Sequence, residues 1–450
     1  MKLLSGVHVP HRKHTAEMAA VRMPAPEQVV IPMAMHIGKP AEPVVKVGDE
    51  VFVGSLIAEQ SGYISSPIYS SVSGKVKSIG EIFMPNGIKC RAITVVSDGN
   101  MTPDPTIQPP SVTDKASLVA AVQKSGTVGL GGAGFPTYVK FNVPDGTRVE
   151  VLVVNGAECE PYITSDTRTM VDKAEDMLFG IQRVADILGI ERVVIGIESN
   201  KPAAIESMRA IAARDGRISV SVLPSLYPQG GEKVLVYHTT GKVIPAGKLP
   251  LDVGCIVINC TTIACIGNYI KCGMPLVSKC ITVDGGALKS AANVIVPIGT
   301  SLSDVFEFVG GFSEFPHKVL LGGPMMGVAV DTLDAPVMKN TNAILALTND
   351  EIREKEQTAC IRCGACVSHC PLSLNPQAYL KAYKTRDVDT LEKLRVDICM
   401  ECGCCSYICP TAQPLVETNK LAKALIRERA AERRALEEQR KQLLAEREGK

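Results

Sequence analysis

The sequence predicts a multidomain chain of mixed α/β and α+β class. Three observations carry that expectation. Residues 29–97 hold short alternating strands separated by glycine turns, the pattern of a small sandwich or barrel. Residues 114–250 alternate continuous apolar strands with helices, which implies a parallel sheet covered on both faces. Two runs of four cysteines stand among short helices near the C-terminus. They are Cys360, Cys363, Cys366 and Cys370 before Pro371, and Cys399, Cys402, Cys405 and Cys409 before Pro410.

The bulk numbers agree with several domains. A length of 450 residues suits about three of them. Apolar residues make up 46% and aromatics only 4%, with no Trp, so the cores must be aliphatic. A formal net charge of +1, with no basic stripe, argues against a nucleic-acid partner. Sixteen cysteines, eight of them in cluster spacing, indicate a reducing compartment. Residues 1–18 lack the apolar centre of a signal peptide. The longest apolar stretch, 319–330, is broken by Gly322, Gly323 and Pro324 and is too short to span a bilayer. Membrane association is therefore expected to be peripheral, or through partner subunits.

Residues 1–28 read as a polar arm. His8, His11 and His14 recur in it at every third position, and a solvated basic arm is favoured over a metal site. Residues 29–100 form the first domain, with alternation over 44–53 around Gly48-Asp49 and again over 72–76. This stretch resembles the barrel-sandwich hybrid of biotinyl and lipoyl carriers. Lys75 follows Ser73-Gly74 rather than standing beside Met or Ala, so no covalent cofactor is expected. A linker rich in Pro, Asp, Thr and Ser covers 98–113.

Residues 114–250 form a Rossmann-like parallel α/β domain. It starts with a helix near Lys115 and a glycine loop over 126–136. Strands follow at 149–154, 192–197 and 218–222, with helices at 172–188 and 203–213. Residues 251–340 return to short strands at 255–258, 276–283, 294–298 and 318–321, with one helix at 302–309. That is an α+β unit of β-grasp type, with a hairpin turn at Asp284-Gly285-Gly286-Ala287. Residues 341–413 hold the cysteine runs, an α-helical ferredoxin-like domain. Residues 414–450 read as one charged C-terminal helix with apolar positions Leu421, Leu425, Leu436, Leu443 and Leu444. A solvated helix that docks a partner is the preferred reading, and a membrane-surface helix the second.

Each cysteine run reads C-x2-C-x2-C-x3-C-P, the spacing of two-cluster bacterial ferredoxins. Three thiolates on one short loop bind three irons of a cubane, and the fourth ligand comes from the other run. One [4Fe–4S] cluster is thus assigned to Cys360, Cys363, Cys366 and Cys409, and the second to Cys399, Cys402, Cys405 and Cys370. Zinc is disfavoured because neither run offers two paired knuckles. Cys404 is off the spacing and reads as a free neighbour. Cys255, Cys260, Cys265, Cys272 and Cys280 fit no cluster or zinc spacing and read as small buried hydrophobes. Cys90 and Cys159 get the same reading.

The loop holding Gly129, Gly131, Gly132 and Gly134 fits a phosphate cradle, because residues without Cβ let backbone N–H groups close on an anion. Phe135 follows it, and Lys140 supplies a nearby cation. Strand 149–154 delivers Asn155 and Glu158 at its C-terminal end, where open α/β sheets bind ligands. Gly230, Glu232 and Lys233 follow, then Asn259 and Thr262. In this order the segments resemble the flavin- and NADH-binding subunit of respiratory complex I and related hydrogenases. Leu130, Ala157 and Gly231 depart from that family's pattern of Arg, Asp and Glu.

The arm GVHVPHRKH, the barrel-sandwich domain, the α/β domain, the β-grasp domain and the doubled runs together resemble the RnfC family of the Rnf electron transport complexes. That resemblance covers essentially the whole chain. It implies a ferredoxin:NAD+ oxidoreductase coupled to Na+ or H+ translocation, with non-covalent FMN, two [4Fe–4S] clusters and NAD(H) as substrate. The protein would sit peripherally on the cytoplasmic side of the cell membrane. Its partners would be the other subunits of the complex, integral membrane subunits and a ferredoxin-like subunit among them. On this reading Glu158 and Glu232 are the catalytic carboxylates, and Asp166 joins the cofactor-binding set. A flavin exchanges electrons in pairs or singly, so flavin and clusters on one chain convert hydride to single electrons. Two other readings stay open: a soluble dehydrogenase subunit of the complex I type, and a non-catalytic wiring scaffold.

Overall fold

The computed structural model describes residues 3–448 apart from Asn86 and Arg353, with side chains as far as Gln442. The expected apolar positions Leu443 and Leu444 lie outside the described side chains. No helix among the described residues is long and apolar enough to cross a membrane.

The first domain packs a four-stranded sheet on a three-stranded one. Gln28–Pro32, Lys89–Ser97, Gly74–Phe83 and Glu50–Val51 form the larger sheet, and Glu42–Pro43, Leu56–Glu59 and Ile68–Tyr69 the smaller. Val29, Ile31, Ile57, Ile93 and Val95 are wholly buried between them. Lys75 sits in the ladder opposite Glu50 and Val96.

The second sheet has four strands, all parallel, in the spatial order Ile218–Leu223, Arg192–Glu198, Val151–Gly156, Cys255–Asn259. The last strand corrects the expectation that residues from 251 onward begin the β-grasp unit. Cys255 pairs with Val151 and Asn259 with Asn155, so this strand and the helix Cys260–Cys272 complete the parallel sheet. A buried run of five residues carries no mark of which sheet it will join. The helix crosses Ala174–Leu188 with Gly267 against Gly180, where a Cβ on either would overlap the other helix's backbone.

The third sheet has six strands, in the order Val21–Arg22, Ala292–Pro297, Ser278–Asp284, Ala343–Leu347, Lys318–Leu321, Val328–Val330. Helix Leu302–Phe308 covers it. Strand Ala343–Leu347 is buried along its whole length and runs parallel to Ser278–Asp284 in the middle of the sheet. It lies beyond the expected boundary at 340, which therefore falls too early.

The N-terminal arm is not solvated as expected. The three histidines are exposed, but the arm around them is pinned. Val7 bridges to Tyr227, Val9 and Thr15 are buried, and His14 Nδ1 lies 3.1 Å from Asp284. Arg12 reaches Glu351 at 2.9 Å. The arm ends by adding a parallel edge strand to the six-stranded sheet.

The cluster domain folds around Tyr379, Leu391, Val396 and Ala422. Ala422 belongs to the long helix Leu415–Glu448, so that helix first docks on its own chain. Leu425 and Ile426 pack beside it, and Lys423 pairs with Glu401 at 2.5 Å and Arg429 with Asp389 at 2.7 Å. The expected apolar positions Leu421 and Leu436 instead face solvent.

One buried ammonium joins domains. Lys339 Nζ donates to Ser66 Oγ (3.1 Å), Pro67 O (2.6 Å) and Gly126 O (2.7 Å), tying the barrel-sandwich domain to the start of the glycine loop. No carboxylate among the described residues pairs with it, and burial lowers its pKa from the ordinary 10.5 to about 7. The unfolded chain therefore holds a proton that the folded chain sheds between those values, and stability rises with pH across that window. Lys339→Met should remove this part of the slope. Denaturant midpoints of both proteins between about pH 7 and about pH 10 check it.

Candidate functional site

The glycine loop leaves the first helix of the α/β domain and is held at both ends by its own backbone, where Gly129 N–H donates to Phe135 O at 2.8 Å. Its crest, Gly131 to Ala133, is exposed. A Cβ on Gly131 would overlap the Asn259 side chain, whereas Gly132 has open space above it. Asn259 caps the helix Cys260–Cys272, its Oδ1 accepting from Thr262 N at 3.1 Å. Asn259 Nδ2 donates to Asp166 Oδ2 at 2.7 Å, and Thr262 Oγ1 accepts from Leu130 N at 3.0 Å. A helix N-terminus and a bare backbone crest thus lie side by side, the two elements that bind a phosphate group.

The neighbouring strand ends supply the other expected residues. Asn155 Nδ2 donates to Gly230 O at 3.0 Å. Lys140 Nζ lies 3.3 Å from Glu232 Oε1 and 2.9 Å from Val257 O. Lys233 is half-buried beside Glu232 in the first turn of the helix Glu232–Thr240. The structure therefore brings Gly131, Asp166, Asn259 and Thr262 together, and sets Asn155–Gly230 and Lys140–Glu232 as further pairs.

Glu158 is differently occupied. It is 6% exposed and accepts from Asp166 N (2.7 Å), Thr167 N (3.2 Å) and Thr167 Oγ1 (2.7 Å) at the start of helix Ser165–Asp172. Burial pushes its carboxyl up to about 7, against the pull of the Lys13 ammonium. Lys13 had no place in the expected site. Its Nζ donates to the carbonyls of Glu158 (2.8 Å), Glu160 (2.7 Å) and Ile163 (2.5 Å), fixing the segment that follows the central strand. Only its position in the basic arm could have signalled this.

Cys159 is half-buried and accepts from Gly230 N–H at 3.4 Å, so it is more than a hydrophobe. Cys90, Cys255 and Cys260 are buried as expected, Cys265 and Cys280 are half-buried, and Cys272 is exposed at the end of its helix.

The cysteine runs line two cavities, each drawing on both runs. Cys360, Cys363, Cys366 and Cys409 line one, of 480 Å³. Cys370, Cys399, Cys402 and Cys405 line the other, where Cys404 also sits. Backbone and side-chain N–H groups point at the sulfurs. Leu374 N–H donates to Cys370 (3.3 Å), Glu401 N–H and Asn419 Nδ2 to Cys399 (3.4 Å each), and Gln413 N–H to Cys409 (3.5 Å). Such bonds stabilise thiolates and tune cluster potential. Among the described residues no three His, Cys, Asp or Glu side chains converge on a single ion. Four thiols line each cavity, the donor set that a cubane takes.

The two cofactor regions meet. Met400, between Cys399 and Cys402, packs on Gly231, where a Cβ would overlap its Cε methyl. Tyr227 OH donates to Cys402 O at 2.8 Å. This contact explains one departure from the complex I pattern, since a larger residue at 231 would displace Met400. The other two are absorbed likewise. Leu130 is 1% exposed in the core shared with the barrel-sandwich domain, and Ala157 lies in the core beneath the sheet.

Two outcomes follow from this geometry. Cys370→Ala should abolish the reduced-cluster signal of the group held by Cys399, Cys402 and Cys405, and spare the other, while Cys409→Ala does the reverse. Paramagnetic resonance of the two reduced variants checks it. Gly131→Val forces a branched side chain into Asn259 and should release flavin with both clusters retained. Flavin fluorescence after ultrafiltration, beside iron content, checks that.

Comparison with known proteins gives the family. Residues 1–100 match the RnfC barrel sandwich hybrid domain, 122–268 the Nuo51 FMN-binding domain, 280–329 the SLBB domain and 356–412 the 4Fe-4S dicluster domain. The C component of the proton-translocating ferredoxin:NAD(+) oxidoreductase complex of Clostridium ljungdahlii is 42% identical over 375 residues, 82% of each chain. Its counterpart in the Na(+)-translocating ferredoxin:NAD(+) oxidoreductase complex of Acetobacterium woodii is 41% identical, over 82% of this chain and 85% of that one. The counterpart in the ion-translocating oxidoreductase complex of Rhodobacter capsulatus is 39% identical over 431 residues, 94% of this chain and 83% of its own. The glycine loop, the crossed cysteine cavities and the four matched domains thus belong to one known assembly of parts, and the chain is a member of the RnfC family, a component of the ion-translocating oxidoreductase (Rnf) complexes.

Proposed function

We propose that this chain is the NAD(H)-reacting subunit of an ion-translocating ferredoxin:NAD+ oxidoreductase, attached peripherally on the cytoplasmic side of the membrane through partner subunits. Two kinds of partner complete it: integral membrane subunits that move the ion, and a ferredoxin-like subunit. The observation that carries this reading is the packing of Met400 on Gly231, which joins the flavin region to a thiol-lined cavity within one molecule.

FMN and two [4Fe–4S] clusters supply the exchange between paired and single electrons. The chain's residues hold and orient. The loop Gly129–Gly134, with Asn259 and Thr262 at the helix N-terminus, would take the phosphate end. Asn155, Lys140 and Glu232 border the open strand ends where NAD(H) would enter. Glu232 stays partly exposed and remains the candidate to contact the nicotinamide. Glu158 acts through the helix it caps, and it is better described as a positioning residue than as a catalytic one. The cavity holding Cys402 and Cys405 is buried beside the α/β domain, whereas Cys360 and Cys363 are exposed. Electrons would thus enter the cluster of Cys370, Cys399, Cys402 and Cys405 first and leave through the other.

The three departures at Leu130, Ala157 and Gly231 favour this reading over a decayed scaffold, because each is accommodated by close packing, Leu130 and Ala157 in cores and Gly231 against Met400. A rapid-mixing experiment tests the order. Gly231→Ala should leave flavin bleaching by NADH intact and slow reduction of the clusters, on the order of tenfold, by pushing Met400 away. Clusters that are reduced at the original rate, or bleaching that is lost with flavin still bound, would reject the order.

A further inference from the structure

A third cavity, of 650 Å³, opens where the barrel-sandwich domain, the helices of the α/β domain and the six-stranded sheet meet. None of the residues assigned above to flavin, nicotinamide or clusters lines it. Its wall is largely apolar, with Met23, Met101, Met274, Leu276, Ile295 and Pro297. Its charged groups are Arg22, Lys173, Lys279 and Asp176. Asp176 is already paired with Lys271 at 2.9 Å. Arg22 and Lys173 are exposed and make no ion pair among the described residues, where the buried Lys279 ammonium donates only to Leu130 O. The free charge around the opening is therefore positive, over an apolar interior.

That combination selects a molecule with an apolar body and an anionic head. Ligand pockets span about 300–1,000 Å³, and this one has the size for a single alkyl chain rather than a two-chain lipid. We propose that the cavity binds a single-chain anionic amphiphile, a long-chain carboxylate or alkyl phosphate, with its head at Arg22 and Lys173 and its chain along Met23, Met101 and Met274. The site touches the flavin loop from behind at two points. Lys279 holds the carbonyl of Leu130, and Thr261 Oγ1 donates to Asp166 Oδ1 at 2.6 Å, the carboxylate that also holds Asn259.

The chain contains no Trp, so Asn268→Trp on the exposed rim of the cavity gives a single tryptophan there, read by excitation at its own band. The intact protein carrying it is titrated with dodecanoate, dodecyl phosphate and dodecanol below their aggregation limits. Both anions should give a saturable blue shift of one equivalent, and dodecanol should bind at least about tenfold more weakly. Preference for one anion over the other identifies the head group. Adding Arg22→Gln and Lys173→Gln, both on exposed side chains, should reduce the anions to the dodecanol level, and Ala264→Phe should fill the cavity and abolish the shift. Equal binding of dodecanol, or anion binding untouched by the charge variants, would overturn the proposal. Binding here requires neither flavin nor NADH, so its outcome is separate from that of the redox experiments.

Discussion

One backbone bond of its own closes the glycine loop at its base, and the rest of the structure is arranged to hold what lies between. Six residues with four glycines lose much backbone freedom on ordering and have few side chains to offset that loss. The stabilising contacts therefore come from outside. Thr262 takes the Leu130 N–H, Lys279 takes its carbonyl, Asn340 donates to Gly132 O at 3.1 Å, and Ile37 N–H donates to Gly134 O at 3.1 Å. These partners come from the α/β helix, the six-stranded sheet, the segment leading to its central strand, and the barrel-sandwich domain. The barrel-sandwich domain thus serves here as a wall for the loop.

Buried lysines recur as the means of attachment. Lys13, Lys279 and Lys339 each place an ammonium against backbone carbonyls. Burial lowers the pKa of Lys13 and Lys279 to about 8 and of Lys339 to about 7. An ammonium donates three hydrogen bonds in fixed directions, so it can gather carbonyls from separate segments that no neutral side chain could satisfy. Desolvation makes such a group costly, and its retention at three domain junctions points to geometry rather than stability.

Much of this was legible in the chain. The cysteine spacing is rigid local chemistry, and the two cavities mix the runs as the spacing implied. Apolar runs broken by helices foretold the parallel sheet. What stayed hidden was long-range. Strands Cys255–Asn259 and Ala343–Leu347 are short buried runs whose parallel partners lie about a hundred and about sixty residues away along the chain. Their residues would suit either sheet. Nothing in the local sequence marks Lys279 and Lys339 as buried, and tertiary packing alone encloses them. Lys13 was visible within a family-like motif, but a motif names a residue without saying what it grips.

The N-terminal arm sets a condition on synthesis. Residues 7–22 bond to Tyr227, Asp284, Val294 and Glu351, and the hydroxyl of Tyr407 reaches His8 O. The first twenty residues leave the ribosome early and must wait for partners made hundreds of residues later. The parallel sheet and the barrel can fold as they emerge, but the clasp around the central strand end closes only after nearly the whole chain is present. A chain that still lacks these late partners therefore offers an unfinished cradle.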